Sequence, residues 1–268
     1  MTANLFDEFK SNLNEGLPVA LATIIEGTGQ GSKLLLLPDG TYMGSLGNPK
    51  IDRVLSRDMA GELAAGRTSI RHYGQEGEAR EESLSIFIES FAPPPQMLIF
   101  GAVDFTAALV RIAKVLGYKV TVCDARPVFA TAARFPQADA VENEWPNDLM
   151  EKLGDSLGQR DAVCVLTHDN KFDVPAITSA LKTEVGYIGV MGSRKTHENR
   201  NQRLVEAGVT TKEFQRIMSP VGLDIGARTP EETAISICAE IIAMRTGRKA
   251  PHLKVGSGPI HGESRNIR

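Results

Sequence analysis

The segment from Gln96 to Arg126 constrains the fold more than any other part of the chain. Met97-Leu98-Ile99-Phe100 is a short apolar run that ends at Gly101. From Ala107 to Leu116 the apolar residues Ala108, Leu109, Ile112, Ala113, Val115 and Leu116 fall at helical spacing. Gly117 stands where a helix C-cap belongs. Tyr118 to Cys123 is a second β-rich run, and it ends on Asp124. Strand, glycine turn, helix, strand and acid form the opening βαβ of a dinucleotide-binding fold.

The glycine fingerprint of that unit is broken. Laid on Gly101, the pattern Gly-x-Gly-x-x-Gly asks for glycine at two positions held here by Val103 and Thr106. The second glycine normally lets a pyrophosphate approach the backbone, and the third lets helix and strand pack closely. Asp104 adds negative charge where a phosphate would meet the helix N-terminus. Asp124 lies 23 residues past Gly101, near the ~20 at which an acid holds the ribose. The scaffold is expected and NAD(P) binding is not.

With 268 residues the chain has length for one large or two modest domains. A net charge of −3 gives no electrostatic case for nucleic acid or anionic membranes. No stretch approaches 18 apolar residues, the length of a membrane span. The N-terminus, Met1 to Glu8, lacks a basic region followed by an apolar core, so it does not read as a secretory signal. Cys123, Cys164 and Cys238 are far apart, each in an apolar element, and read as reduced buried thiols of a cytoplasmic protein.

Ahead of the βαβ unit, Leu5, Phe6, Phe9 and Leu13 mark a helix, followed by strands over Val19–Ile25, Lys33–Leu37 and Thr41–Ser45. Pro49 to about Ala65 reads as a helix, and Thr68–Tyr73 and Leu84–Glu89 as strands. The stretch Gly74 to Glu82 reads as a polar hairpin loop. Beyond Asp124, strands near Ala138–Val141, Asp161–Thr167 and Val185–Met191 alternate with helices near Asn147–Leu157, Val174–Leu181 and Lys195–Ala207. The expected class is α/β: a C-terminal Rossmann-like, doubly wound parallel sheet with a small N-terminal α+β domain of mostly antiparallel strands. The expected boundaries are 1–92 for the small domain, 93–96 for a proline-rich linker, 97–250 for the Rossmann-like domain and 251–268 for a flexible tail.

In an open α/β sheet, ligands bind beyond the carboxyl ends of the strands, where strand order reverses. Four polar clusters fall at such ends: Gly101 to Thr106; Asp124 with Arg126; Thr167-His168-Asp169-Asn170 with Asp173; and Gly192-Ser193-Arg194-Lys195, with Arg200 and Arg203 further along the helix. The fourth has the form of an anion site, with a turn-forming glycine, free N–H groups at a helix start and an arginine fork. His168 and Asp169 could be an acid/base pair, part of a metal site or a hydrogen-bonded loop. Ser219 to Ala227 is short and glycine-punctuated, and it leads into the capping box Thr229-Pro230-Glu231-Glu232.

Read together, three blocks resemble one family. Thr167-His168-Asp169 with Asp173 and Pro175, then Tyr187 to Arg194, then Ser219 to Gly226 with Thr229 to Ile237 are similar to the XdhC/CoxI proteins. Those are accessory factors of xanthine dehydrogenase and carbon monoxide dehydrogenase. Pro18 to Thr23 and Asp39 to Gly47 resemble the family's separate N-terminal domain.

The resemblance implies an accessory protein more than an enzyme; the alternatives are an NAD(P)-dependent oxidoreductase, for which the βαβ unit and Asp124 speak, and a degenerate Rossmann scaffold acting as an assembly or regulatory partner. The accessory protein would bind the molybdenum cofactor (molybdopterin) transiently, protect it during sulfuration and deliver it to a molybdenum hydroxylase apo-enzyme. A sulfurtransferase and a second copy of the chain are the further expected partners. The cofactor-binding candidates are Gly101, Asp124, His168, Asp169, Gly192, Ser193, Arg194, Gly222 and Asp224, with no metal ligands and no catalytic residue. The cofactor's terminal phosphate gives the Gly192 to Arg194 turn a target.

The chain departs from the family in two loops. Where the family reads Gly-Ser-Val-Gly-Gly-Gly-Cys-Val-Glu, this chain has Gly44-Ser45-Leu46-Gly47-Asn48-Pro49-Lys50-Ile51-Asp52, so Lys50 stands at the cysteine position. Where the family's Rossmann turn reads Gly-Ala-Gly-His-Val-Gly, this chain has Gly101-Ala102-Val103-Asp104-Phe105-Thr106.

Overall fold

The computed structural model describes residues 4–74, 77–78, 83–192 and 194–255, the side chains of 194–196 excepted. Most of the expected hairpin loop, the tail beyond 255 and Ser193 lie outside the described residues. The chain divides into two compact units, Met1–Gln96 with Leu157–Asp161, and Met97–Ser156 with Ala162–Arg268.

The first unit runs α1 (Leu5–Asn14), β1 (Val19–Glu26), β2 (Lys33–Leu36), β3 (Tyr42–Ser45), α2 (Pro49–Ala65), β4 (Ser69–Tyr73) and β5 (Leu84–Phe91). Its five strands form an antiparallel sheet in the order β3-β2-β1-β5-β4. Helix α2 begins where the Asn48 side chain accepts from Lys50 N and Pro49 supplies a preset φ. It ends at Gly66, whose φ of +61° is the left-handed conformation a C-cap favours. Ile51, Leu55 and Met59 lie on one face, since they recur at helical spacing, and they pack on Ala20, Ala22, Ile24, Ile86 and Ile88. The turn before α2, upstream of Lys50 at the family's cysteine position, is tied to the helix: Asp52 accepts from Leu46 N at 2.8 Å and from Ser45 Oγ at 2.7 Å.

The second unit holds β6 (Gln96–Phe100), α3 (Asp104–Val115), β7 (Lys119–Cys123), β8 (Ala140–Glu142), α4 (Pro146–Leu153), β9 (Ala162–Val165), α5 (Asn170–Leu181), β10 (Tyr187–Val190), α6 (Arg194–Glu206), α7 (Thr211–Phe214), β11 (Ile217–Met218) and α8 (Pro230–Arg245). Its six strands form a parallel sheet in the order β11-β10-β9-β6-β7-β8. Counted from β6, that is the doubly wound order 3-2-1-4-5-6 read from the other edge. Strand order therefore reverses between β6 and β9, and the crest above their carboxyl ends is where this topology places ligands.

Alternation along β6 sends Met97 and Ile99 into a core shared with Leu109 and Ala113 of α3 and Ile237 and Ile241 of α8. Helices α4, α5 and α6 pack in sequence as a second helical layer.

Three details differ from the sequence reading. Helix α3 starts at Asp104, three residues before Ala107, because the Thr106 hydroxyl accepts from Val103 N and donates to Gly101 O, capping the first turn. Helix α5 starts at Asn170 rather than Val174, with the Asp169 side chain accepting from Lys171 N as its N-cap. The edge strand β11 and the single turn α7 are additional elements, too short to show a period in the sequence. The capping box before α8 is formed as read: Glu232 N donates to Thr229 Oγ1 at 3.2 Å and Thr229 N to Glu232 Oε2 at 3.1 Å.

Candidate functional site

The described residues of the four polar clusters follow the carboxyl ends of β6, β7, β9 and β10 in the parallel sheet. At the switch point the backbone is closely packed. Leu166 N donates to Phe100 O at 2.8 Å, and a Cβ on Gly101 would come within 2.6 Å of Thr167 Cγ2. With φ at +114°, Gly101 is a position where only glycine is unstrained, and the close neighbour that requires it is Thr167. Val103 is half-buried after it, and Asp104 points outward with its side chain 92% exposed, 3.9 Å from Arg134.

Asp124, at the end of β7, is buried. Its carboxylate accepts from Ala102 N (2.8 Å) and from Arg126 N (2.9 Å), and Arg126 also grips both oxygens through Nε and Nη2. Burial pushes the carboxyl up, but the hydrogen bonds from Arg126 and Ala102 outweigh it and hold Asp124 below its ordinary value. The acid that would hold a ribose is thus occupied by the chain's own arginine. The Arg126 guanidinium lies 4.6 Å from the Phe129 ring and 5.8 Å from that of Phe172, which stacks on Trp145 at 4.8 Å. Arg134 donates to the carbonyls of Ala102 and Phe129. These aromatic and arginine partners carried no sequence signal beyond Arg126, because they come from three separate segments: the connection after β7 (Phe129 and Arg134), the residue before α4 (Trp145) and the first turn of α5 (Phe172).

The third and fourth clusters are joined by a buried ion pair. Asp173 and Arg200 are each 1% exposed, and Arg200 Nη2 lies 2.9 Å from Asp173 Oδ2. Arg200 Nη2 also donates to Met191 O at 2.8 Å, and Thr167 donates its hydroxyl proton to Asp173. The network ties the ends of β9 and β10 to α5 and α6. Burial pushes the Asp173 carboxyl up against the opposing pull of Thr167 and Arg200. Sequence reasoning placed both residues near the crest, but their pairing across 27 positions is a product of the fold.

His168 and Asp169 are exposed at the end of β9, with Asp169 serving as the α5 cap. Among the described residues, no group of three or more His, Cys, Asp and Glu could hold a metal ion. Burial pushes the thiols of Cys123 and Cys238 up to about 12, and that of Cys164 higher still, so none supplies a thiolate.

Gly192, half-buried with φ +153°, leads into α6. Ser193 lies outside the described residues, as does the side chain of Arg194. Gly222 is held by α8: its N–H donates to Glu240 Oε2 at 2.9 Å, which also accepts from Tyr187 Oη at 2.6 Å. A Cβ on Gly222 would collide with Ser236 Oγ, whose proton goes to Leu223 O. The glycine therefore serves the close approach of loop to helix. Asp224, two residues on, is exposed.

The XdhC Rossmann domain family matches residues 97–241, and the XdhC and CoxI family matches residues 13–74. The chain belongs to the XdhC and CoxI family. Among curated relatives of this XdhC chain is a probable xanthine dehydrogenase subunit of Bacillus subtilis, 34% identical over 62% of this chain and 47% of the relative. The Escherichia coli protein YqeB is 24% identical over 90% and 46% of the two chains. The E. coli molybdenum cofactor insertion chaperone PaoD is 27% identical over 61% and 44%. The XdhC chain spans about half the length of these curated relatives. A solved structure described as a xanthine dehydrogenase from Bacillus halodurans shares the fold, with a TM-score of 0.53 at 23% identity over 90% of this chain and 95% of that one.

Proposed function

We propose that the protein serves the maturation of a molybdenum hydroxylase of the xanthine or carbon monoxide dehydrogenase type, binding molybdenum cofactor and delivering it to the apo-enzyme. The observation that carries this reading is the XdhC Rossmann match over 97–241, which takes in the whole crest. A relative that is a molybdenum cofactor insertion chaperone supports it.

The residues present suit the anionic end of such a cofactor. Gly192 leads into α6, which begins at Arg194, and in the sequence Ser193 stands between them; N–H groups and the dipole at a helix start favour a phosphate. Behind them Arg200 Nη1 is buried without an acceptor. Gly101, Asp124, His168 and Asp169 border the crest toward the switch point, and Gly222 and Asp224 belong to the loop that α8 holds. The metal would supply its hydroxylation chemistry only in the client enzyme; this chain holds the phosphate and orients the cofactor. With no thiolate at position 50 and three buried thiols, cysteine takes no part in the hold.

The test is activation of a purified apo-hydroxylase by limiting molybdenum cofactor, with and without this protein. Faster or more complete activation in its presence is expected. Identical activation curves would refute delivery.

A further inference from the structure

Three buried polar atoms at the carboxyl ends of β10 and β11 have no hydrogen-bond partner: Arg200 Nη1, His197 Nδ1 and Ser219 Oγ. Two lie on α6 and the third directly follows β11, the strand that pairs with β10, whose end α6 is bonded to. Arg200 Nη2 is fixed on Met191 O, the first carbonyl past β10. His197 lies three residues earlier on α6 and so on the same face. Arg200's charge reaches its ring: burial first, then Arg200, holds the imidazole below its ordinary value. Ser219 follows Met218, whose partner across the sheet is Gly189, so it lies level with Val190, one residue before Met191.

All three atoms are able to donate. His197 Nε2 faces Asn201 Nδ2 at 3.0 Å; with that amide donating, the ring proton sits on Nδ1. The hydroxyl of Ser219 is a free rotor. Arg200 keeps Nη1 spare after Nε and Nη2 are used. The neighbouring acid offers no acceptor: the two Asp173 oxygens are engaged by Thr167 and by Arg200. Glu198, the other acid acting on His197, is exposed. A buried donor left unmade is costly, and more so when it is charged. Three such donors on adjoining segments are explained more simply by one missing acceptor than by three separate defects.

We propose that Arg200 Nη1, His197 Nδ1 and Ser219 Oγ form a seat for one tetrahedral oxyanion, a phosphate monoester, each donating to one of its oxygens. The seat deepens the cofactor-carrier reading and rests on it for the identity of the ligand, since a pterin phosphate and inorganic phosphate share this chemistry. All three atoms are closed to solvent in the unliganded chain, so slow binding and slow release are expected.

The experiment is NMR of the full chain with isotope-labelled imidazoles, His197 being assigned among the five histidines by loss of its signal in His197→Phe. One arm adds inorganic phosphate against a chloride control, and the other adds a pterin phosphate. The expected result is a His197 Nδ1 shift in both arms, with the pterin phosphate binding more tightly. Ser219→Ala should weaken phosphate binding about tenfold. The paired variant Asp173→Asn with Arg200→Gln, which avoids a lone buried charge, should abolish it. A His197 shift with phosphate but no binding of the pterin would keep the seat and sink the carrier reading. Pterin binding that leaves His197 unmoved and ignores Ser219→Ala would keep the carrier reading and overturn the seat. Absence of any His197 response to either ligand would also overturn it.

Discussion

Arg200→Gln is expected to destabilise the folded chain by about 3–5 kcal/mol, the usual result of removing one partner from a buried ion pair. The cause is the carboxylate left behind. Asp173 is 1% exposed, and without the guanidinium it keeps the Thr167 hydroxyl and the nearby His168 against the cost of burial. The Met191 carbonyl loses its donor as well, so the ends of β9 and β10 are no longer tied to each other through α5 and α6. Changing Asp173→Asn in the same chain removes the stranded charge, and the double variant should recover a large part of the loss. Urea unfolding of the wild type, the two single variants and the double variant measures this coupling. Additive losses in the double variant would show that the pair does not act as a unit.

Asp124→Asn carries the second large effect, a loss of about 2–3 kcal/mol, as for a buried carboxylate that gives up charge-assisted hydrogen bonds. Its carboxylate joins the turn after β6, through Ala102 N, to the turn after β7, through Arg126. The effect depends on pH in a definite direction. The folded carboxyl is held below the ordinary 3.8, so its contribution is fully present above that value and fades as pH falls through the lower folded one. Wild type and Asp124→Asn should therefore differ most near neutrality and converge in strong acid. A gap that stayed constant down to the acid limit would mean that the carboxylate's charge is not what the turn uses.

Much of the architecture is legible in the sequence because local chemistry and tertiary position agree. Helix α2 is clear at both ends, since Asn48, Pro49 and Gly66 are strong end signals around a clear apolar stripe. The Rossmann-like order follows from alternating strands and helices, whose crossovers leave few arrangements. Helix α3 begins earlier than its apolar pattern because Thr106, lacking any apolar signal, caps the turn with its hydroxyl. The site is legible as four clusters and no further. That Asp124 is taken by Arg126 rather than free for a ribose depends on side-chain rotamers, and that Asp173 meets Arg200 depends on how α5 and α6 pack. Gly101 and Gly222 have the look of ligand turns, yet the neighbours that demand glycine are Thr167 and Ser236 of the chain itself.

Native mass spectrometry addresses cofactor carriage most directly. The protein would be purified from a host that makes molybdopterin and, in parallel, from one that cannot. Carriage predicts a pterin-sized mass adduct in the first preparation that is absent from the second and is released on addition of an apo-hydroxylase. Bare protein from both hosts, at protein concentrations where the insertion assay is run, would contradict it.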